Sequence, residues 1–260
     1  TPMNGILFIG DVVGSAGRRA LLDLLPSLVE EFDPLFTVVN GENAAAGKGI
    51  TAKIGEEFFA AGVDAITLGN HAYRRKEGWP LLDDDRRVVR PANDLMTNPG
   101  KGSTVIEKQG VRLGILNISG NHGMDAPHPF IQTTEAAVSE LEQKSDLILV
   151  DMHAEATSEK VALGWILDGR VTAVVGTHTH IPTADARVLP QGTAYITDVG
   201  MTGSRDGVIG VIREQAIEAM RTRLPVRFEP AESDPWLNGV MITTDDQGRA
   251  TAITQVLRQA

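Results

Sequence analysis

With 260 residues, 42% of them hydrophobic and 22% charged, the chain has the composition of a soluble globular protein and the length to bury a sizeable core. The absence of cysteine excludes disulfides, thiolate catalysis and Cys-based zinc sites. A formal net charge of −10 argues against stable nucleic-acid binding, and no run of about 18 apolar residues offers a membrane span.

The N-terminal Thr1-Pro2-Met3-Asn4-Gly5 lacks a basic region and an apolar run, so no signal peptide and a cytoplasmic location are expected, with Thr1 and Pro2 read as an added remnant. From there short apolar runs predict buried parallel strands, with helical spacing between them. Gly5–Ile9 is the first strand, and Arg18–Glu31 is a helix with Leu21, Leu22, Leu25, Leu28 and Val29 at helical spacing and a local irregularity at Pro26. Strand Leu35–Val39, helix Lys53–Ala61 and strand Ala65–Leu68 follow. Arg90–Ser103 and Gly120–Pro129 are irregular Gly/Pro/Asn-rich loops on either side of strand Leu113–Ile118. Helix Glu135–Gln143 is preceded by Thr133 and Thr134, which are expected to cap it. Strands Leu147–Val150, Ala173–Val175 and Thr193–Ile196 and helix Glu214–Thr222 come next. Gly239–Thr244 and Ala250–Val256 alternate across Asp245-Asp246-Gln247-Gly248 and predict an antiparallel hairpin. The alternation predicts an α/β fold with a largely parallel sheet, and residues 1–260 are read as one domain.

Polar residues cluster just past these strands: Asp11, Glu42-Asn43, Asn70-His71, His153, and His178 with His180. In an open α/β sheet the carboxyl ends of parallel strands are where ligands bind, so five strands deliver two carboxylates, two amides and four imidazoles to one edge. Imidazole and carboxylate without thiolate suit Zn, Mn, Fe or Ni. The set is large enough for two ions sharing a carboxylate, and two divalent ions against two carboxylates leave a positive site that attracts phosphate even on an acidic protein. Singly each residue is more simply a cap or a turn. His178-Thr179-His180 is the most specific piece, because an extended segment puts both imidazoles on one side.

Other residues take plainer readings. His122 and His128 are exposed loop histidines that could border a lid, and Asp83-Asp84-Asp85 is a solvated face. Asp198 is a candidate support for a site histidine, and Trp79, Trp165 and Trp236 are core or interface residues. Gly10, Gly14 and Gly17 fit neither a dinucleotide fingerprint nor a P-loop.

Gly10-Asp11, Gly41-Glu42-Asn43, Gly69-Asn70-His71, His153 and Gly176-Thr177-His178-Thr179-His180 resemble the five blocks of calcineurin-like metallophosphoesterases. The longer runs Phe8–Gly14, Asn40–Gly49, His153–Leu163, Ala194–Gly203 and Leu224–Glu232 resemble one bacterial branch, the YmdB-like phosphodiesterases. Against the broad superfamily, Val13 stands where the first block has His, Glu42 replaces the bridging Asp, and Ala72 follows Asn-His in place of an acid. The resemblance implies a layered sandwich of two central mainly parallel or mixed sheets flanked by helices. It implies two divalent or mixed-valence ions, iron or manganese first and zinc compatible. Asp11, Glu42, Asn43 and His180 would hold one, and Glu42 as bridge with Asn70, His153 and His178 the other. His71 is then free to protonate the leaving group while a hydroxide bridging the ions attacks phosphorus. A small phosphodiester or nucleotide is the implied substrate, 2′,3′-cyclic nucleotides first. A phosphomonoesterase on the same core and a metal-stabilised regulatory module with little turnover are the alternatives, and a homo-oligomer is compatible with all of them.

Overall fold

The computed structural model describes residues 5–260; the reading of Thr1–Asn4 lies outside the described residues. In chain order the strands and helices are β1 (Ile6–Ile9), α1 (Gly14–Phe32), β2 (Phe36–Asn40), α2 (Ala52–Ala60), β3 (Ala65–Thr67), α3 (Trp79–Asp84), β4 (Val88–Val89), β5 (Ser103–Lys108), β6 (Val111–Ser119), α4 (Phe130–Leu141) and β7 (Leu147–His153). There follow α5 (Thr157–Leu167), β8 (Ala173–Thr177), β9 (Arg187–Val188), β10 (Ala194–Ile196), β11 (Gly203–Ser204), β12 (Gly207–Val208), β13 (Val211–Ile212), α6 (Arg213–Thr222), β14 (Pro235–Thr244) and β15 (Ala250–Gln259).

The strands form two large sheets. The first runs β11-β14-β1-β2-β3-β4, with β15 also on β14; the second runs β5-β6-β7-β8-β10-β9. Neighbours β1 to β4 are parallel, as are β6, β7, β8 and β10, whereas β14, β5 and β9 pair antiparallel and make both sheets mixed. Every run read as a parallel strand has a parallel partner. They divide between two sheets, as the family resemblance implied and as alternation alone did not show.

The pleat sorts the apolar side chains into layers, because successive residues of a strand face opposite sides. Ile6, Phe8, Phe36 and Val38 meet Leu113, Ile115, Leu147, Leu149, Ala173 and Val175 between the sheets. Leu7, Ile9 and Val39 face outward onto Leu21, Leu25 and Leu28 of α1 and Phe58 of α2. On the far side Ile148, Val150 and Met152 pack on Val138 and Leu141 of α4 and Leu163 and Leu167 of α5. The result is helix, sheet, sheet, helix. A fully buried ring such as Phe8 contributes roughly 1.5–3 kcal/mol to holding the sheets together.

The helix boundaries differ from the sequence reading for identifiable reasons. α1 begins four residues early, since its first turn is made of small residues that packing rather than hydrophobicity explains: a methyl on Gly17 would lie 2.2 Å from the Thr202 carbonyl oxygen. It runs through Pro26, which faces water, so the lost hydrogen bond falls on the solvent side. α4 starts at Phe130, whose N–H donates to Asn121 Oδ1, so Thr133 and Thr134 lie inside the helix and are not its caps. α5 had no place among the predicted helices; its inward face contains Lys160, a charged residue at a fully buried position. The hairpin is present as β14–β15, closed by the Asp245 side chain, which accepts from the N–H groups of Gln247 and Arg249.

Candidate metal centre

The predicted site residues come together where the carboxyl ends of both sheets meet, rather than along one edge of a single sheet. Asp11, Glu42-Asn43 and Asn70-His71 follow β1, β2 and β3 of the first sheet. His153 ends β7, and His178 and His180 follow β8, in the second.

Beneath them lies Asp151, fully buried, which the sequence reading did not single out. Its Oδ2 accepts from Asn40 Nδ2 at 2.9 Å and Thr67 Oγ1 at 2.5 Å, and its Oδ1 accepts from Thr177 Oγ1 at 2.6 Å. Burial pushes this carboxyl above its ordinary range, and His153 together with these hydrogen bonds pulls it back part of the way. Thr177 has one hydroxyl proton and gives it to Asp151, so its oxygen accepts from His153 Nδ1 at 2.9 Å. That sets the tautomer: Nδ1 of His153 carries a proton, and Nε2 points into the site.

Around His153 Nε2 stand Asn70 Oδ1 at 2.9 Å, His178 Nδ1 at 3.1 Å and Glu42 Oε2 at 3.2 Å. His178 directs its other nitrogen, Nε2, at Glu155 Oε2, 3.2 Å away, which leaves Nδ1 as a bare acceptor. Four acceptor atoms thus converge with at most one proton to share, a donor set that fits a cation. Among the described residues Glu42, His153 and His178 form the titratable group whose ligand atoms all lie within 4.8 Å. Gly69 makes the approach feasible, since a Cβ there would sit 2.3 Å from His153 Nε2 and 2.4 Å from Glu42 Oε2.

The second half is more open. Asp11 is fully buried, its Oδ2 accepts the His178 N–H at 3.1 Å, and its Oδ1 has no hydrogen-bond partner among the described residues. That orphaned oxygen lies 4.0 Å from His180 Nε2. His180 donates from Nδ1 to the Ile209 carbonyl at 2.8 Å, so its Nε2 also faces inward. Asn43 donates from Nδ2 to Glu42 Oε1 at 2.9 Å, with His180 Nε2 3.2 Å from the same nitrogen, while its Oδ1 meets His71 Nδ1 at 2.8 Å. To present oxygen to a cation the Asn43 amide must turn over, which would place Nδ2 against His71. The residues fit a two-cation site in which the two oxygens of Glu42 face different halves.

The charges respond to this crowding. Burial pushes the Asp11 carboxyl up to about 6 against the pull of His180 and His153. Burial alone would raise Glu42, yet His153 and His71 hold it well below the usual carboxylate range. Burial disfavours charge on His153, but Glu42 and Asp11 raise it to about 9; burial and the neighbouring His153 drive His178 down to about 3.

The Gly-Thr-His-Thr-His run is not the extended segment expected from its spacing. β8 ends at Thr177, and His178 and His180 have φ of 94° and 68°, a region that costs non-glycine residues about 1–3 kcal/mol each. Asp198 offsets that cost: its Oδ2 accepts from both the N–H and the hydroxyl of Thr179, at 3.1 and 2.7 Å. Lys160 Nζ lies 2.8 Å from the same oxygen, and the pair is completely buried. Asp198 therefore supports the turn through Thr179 rather than touching a histidine ring. His122 and His128 are exposed, and their loop borders a cavity beside Asn70 and His178. Trp79 and Trp236 are half-buried and Trp165 is exposed, so none belongs to the core.

Two outcomes are expected. Thr177→Val keeps the volume but removes both the acceptor that holds His153 Nδ1 and a donor to buried Asp151, so Tm should fall and calorimetric titration of the folded protein should show metal affinity lowered about 10- to 100-fold. With His153 raised to about 9 in the metal-free protein, metal must displace its proton at neutral pH. Uptake should therefore release protons at pH 7, and affinity should strengthen as pH rises toward 9, where the competing proton is lost; buffers of differing ionisation enthalpy read this directly.

The family described as YmdB-like protein matches residues 7–256. The chain is 50% identical over 254 residues to a 2′,3′-cyclic-nucleotide 2′-phosphodiesterase of Bacillus subtilis (strain 168), covering 97% of this chain and 96% of that protein. A crystal structure of a hypothetical protein from Thermus thermophilus superposes with a TM-score of 0.92 at 40% identity, covering 98% of each chain. One described as a novel phosphatase from Mycoplasma pneumoniae gives 0.91 at 35% identity, covering 98% of this chain and 92% of that one. The Haemophilus influenzae NAD nucleotidase shares the fold at a TM-score of 0.57 and 14% identity, covering 98% of this chain and 55% of that one. The chain belongs to the YmdB-like family, on a metallophosphoesterase-type fold.

Proposed function

We propose that this protein is a two-metal phosphodiesterase that opens small phosphodiesters, with 2′,3′-cyclic nucleotides as its leading substrates. That it is a phosphoric ester hydrolase follows from the family; the reaction and the metals are the further step. The observation that carries it is the convergence of His153 Nε2, His178 Nδ1, Asn70 Oδ1 and Glu42 Oε2 with one proton at most among them. Asn70, His153 and His178 would hold one ion and Asp11, Asn43 and His180 the other, with Glu42 shared between them. Iron or manganese is the expected occupant, and zinc suits the same donors. Two such ions would supply a nucleophile at neutral pH and neutralise the charge that develops on phosphoryl oxygens.

The remaining work falls to side chains. A cavity of about 320 Å³ opens over Glu42, Asn43, His71, His178 and His180. His71 lines it, with Nδ1 2.8 Å from Asn43 Oδ1 and 3.3 Å from Glu42 Oε1; with the Asn43 amide turned over toward a cation, Nδ2 would donate to this Nδ1 and the ring proton would sit on Nε2. From Nε2 it delivers a proton to the departing ribose oxygen.

Hydrolysis of 2′,3′-cyclic AMP should depend on added manganese and vanish in the Glu42→Gln protein. Inactivity of metal-loaded wild-type protein on this diester, with turnover of a phosphomonoester, would replace the reading by a phosphomonoesterase; inactivity on both would favour a regulatory binder. His71→Ala should keep its metal but lose about 10²–10⁴ in kcat on the cyclic nucleotide. On a nitrophenyl diester, whose leaving group needs little protonation, the loss should be much smaller. Equal losses would remove His71 from the acid role.

A further inference from the structure

The segment Leu224–Glu232 stood out in the sequence and has no part in the metal centre. It contributes to the lining of the cavity above that centre: Phe228, Glu229 and Pro230 line it with the apolar Ile209, Val211 and Val13, and the candidate ligands Glu42, His178 and His180 line the same cavity. An apolar wall beside a cluster of cation ligands has no use in holding phosphate, so it faces another portion of the ligand.

The wall is rigid where it is exposed. The Glu229 carbonyl accepts from the Ile212 N–H at 2.9 Å, its N–H donates to Gln215 Oε1 at 2.8 Å, and the Ala231 N–H donates to the Gly210 carbonyl at 2.9 Å. The Phe228 ring on this fixed rail is nevertheless 50% exposed. β12 and β13 are joined through Ile209-Gly210, both at positive φ, 45° and 91°. Two-residue turns of this kind favour Asn-Gly, and a β-branched residue at positive φ is a strained exception. Ile209 is 49% exposed, so burial does not repay the strain, and its carbonyl alone would serve His180 equally well from an asparagine.

We propose that Phe228, with Ile209 and Pro230, is a nucleobase platform: the base of a nucleotide substrate lies against this wall while its phosphate rests at the metal centre. The proposal rests on the phosphodiesterase reading and adds specificity to it. Stacking on a ring without directional base contacts tolerates any base, so adenosine, guanosine and pyrimidine cyclic phosphates should differ modestly while removal of the base matters.

The test compares 2′,3′-cyclic AMP with methyl riboside 2,3-cyclic phosphate, which has the same reacting ring and no base. Wild-type protein should prefer the nucleotide. Phe228→Ala should lower that preference roughly 5- to 100-fold, mainly through KM, and Phe228→Trp should keep it. Ile209→Asn should raise Tm by about 2 °C or more, by relieving the turn, and still lower the preference. A preference unchanged in Phe228→Ala, whatever the absolute rates, would overturn the inference. If size-exclusion elution also shifted in that variant, Phe228 would instead belong to an interface between copies of the chain. Wild-type turnover of both substrates without preference would overturn the platform alone, and turnover of neither would remove the diesterase reading and the platform together.

Discussion

The Asp151 carboxylate is the constraint on which the centre depends. It belongs to β7 of one sheet, yet its oxygens bind Asn40 and Thr67 at the ends of two strands of the other, and Thr177 on its neighbour β8. A fully buried carboxylate is costly unless its lone pairs are used, so the three donors and the acid require one another. Registering four strand ends at one point also registers what those strands carry next: Glu42 and Asn43, Asn70 and His71, His153, and His178 with His180. The centre is precise because the layer below it has one satisfactory arrangement.

A second buried charge performs the equivalent task for the turn after β8. Lys160 and Asp198 are both removed from solvent, an arrangement that contributes little net stability and is strongly unfavourable if either partner is lost. Its value is geometric, because Asp198 fixes Thr179 between two histidines held at unfavourable φ. Strain at the ligands and buried ion pairing behind them form one device, in which the core offsets the cost of aiming imidazole nitrogens inward.

How much of this was legible in sequence follows from what each pattern encodes. Strands such as Leu147–Val150 were visible because both faces of their sheets are buried and they read as continuous apolar runs. Their division between two sheets was not, since continuous runs do not record which strand lies beside which. The polar residues past the strand ends were legible as a set, and the structure gathers them at one place. Asp151 and Lys160 were hidden for a shared reason: single charged residues among apolar neighbours read as strand or helix surface until a partner far along the chain is known. The conformation of His178 and His180 was equally illegible, because spacing of two suggests extension, and the turn is held by bonds to distant residues, from Thr179 to Asp198 and from the His178 N–H to Asp11. The Leu224–Glu232 run was noticeable only through resemblance, as its exposed phenylalanine has no periodic signature.

The division of the candidate ligands between the sheets has a consequence for the whole molecule. Asp11, Glu42 and Asn70 follow strands of the first sheet, and His153, His178 and His180 belong to the second. A cation coordinated there would be a cross-link across the sheet–sheet seam, closing a loop of the fold at the end where the interior turns polar. Free metal at a hundred times its dissociation constant would add about 2.7 kcal/mol to the stability of the chain. Scarcity of metal would then be felt as breathing of the two layers at that end, and so as a shorter lifetime of the folded chain.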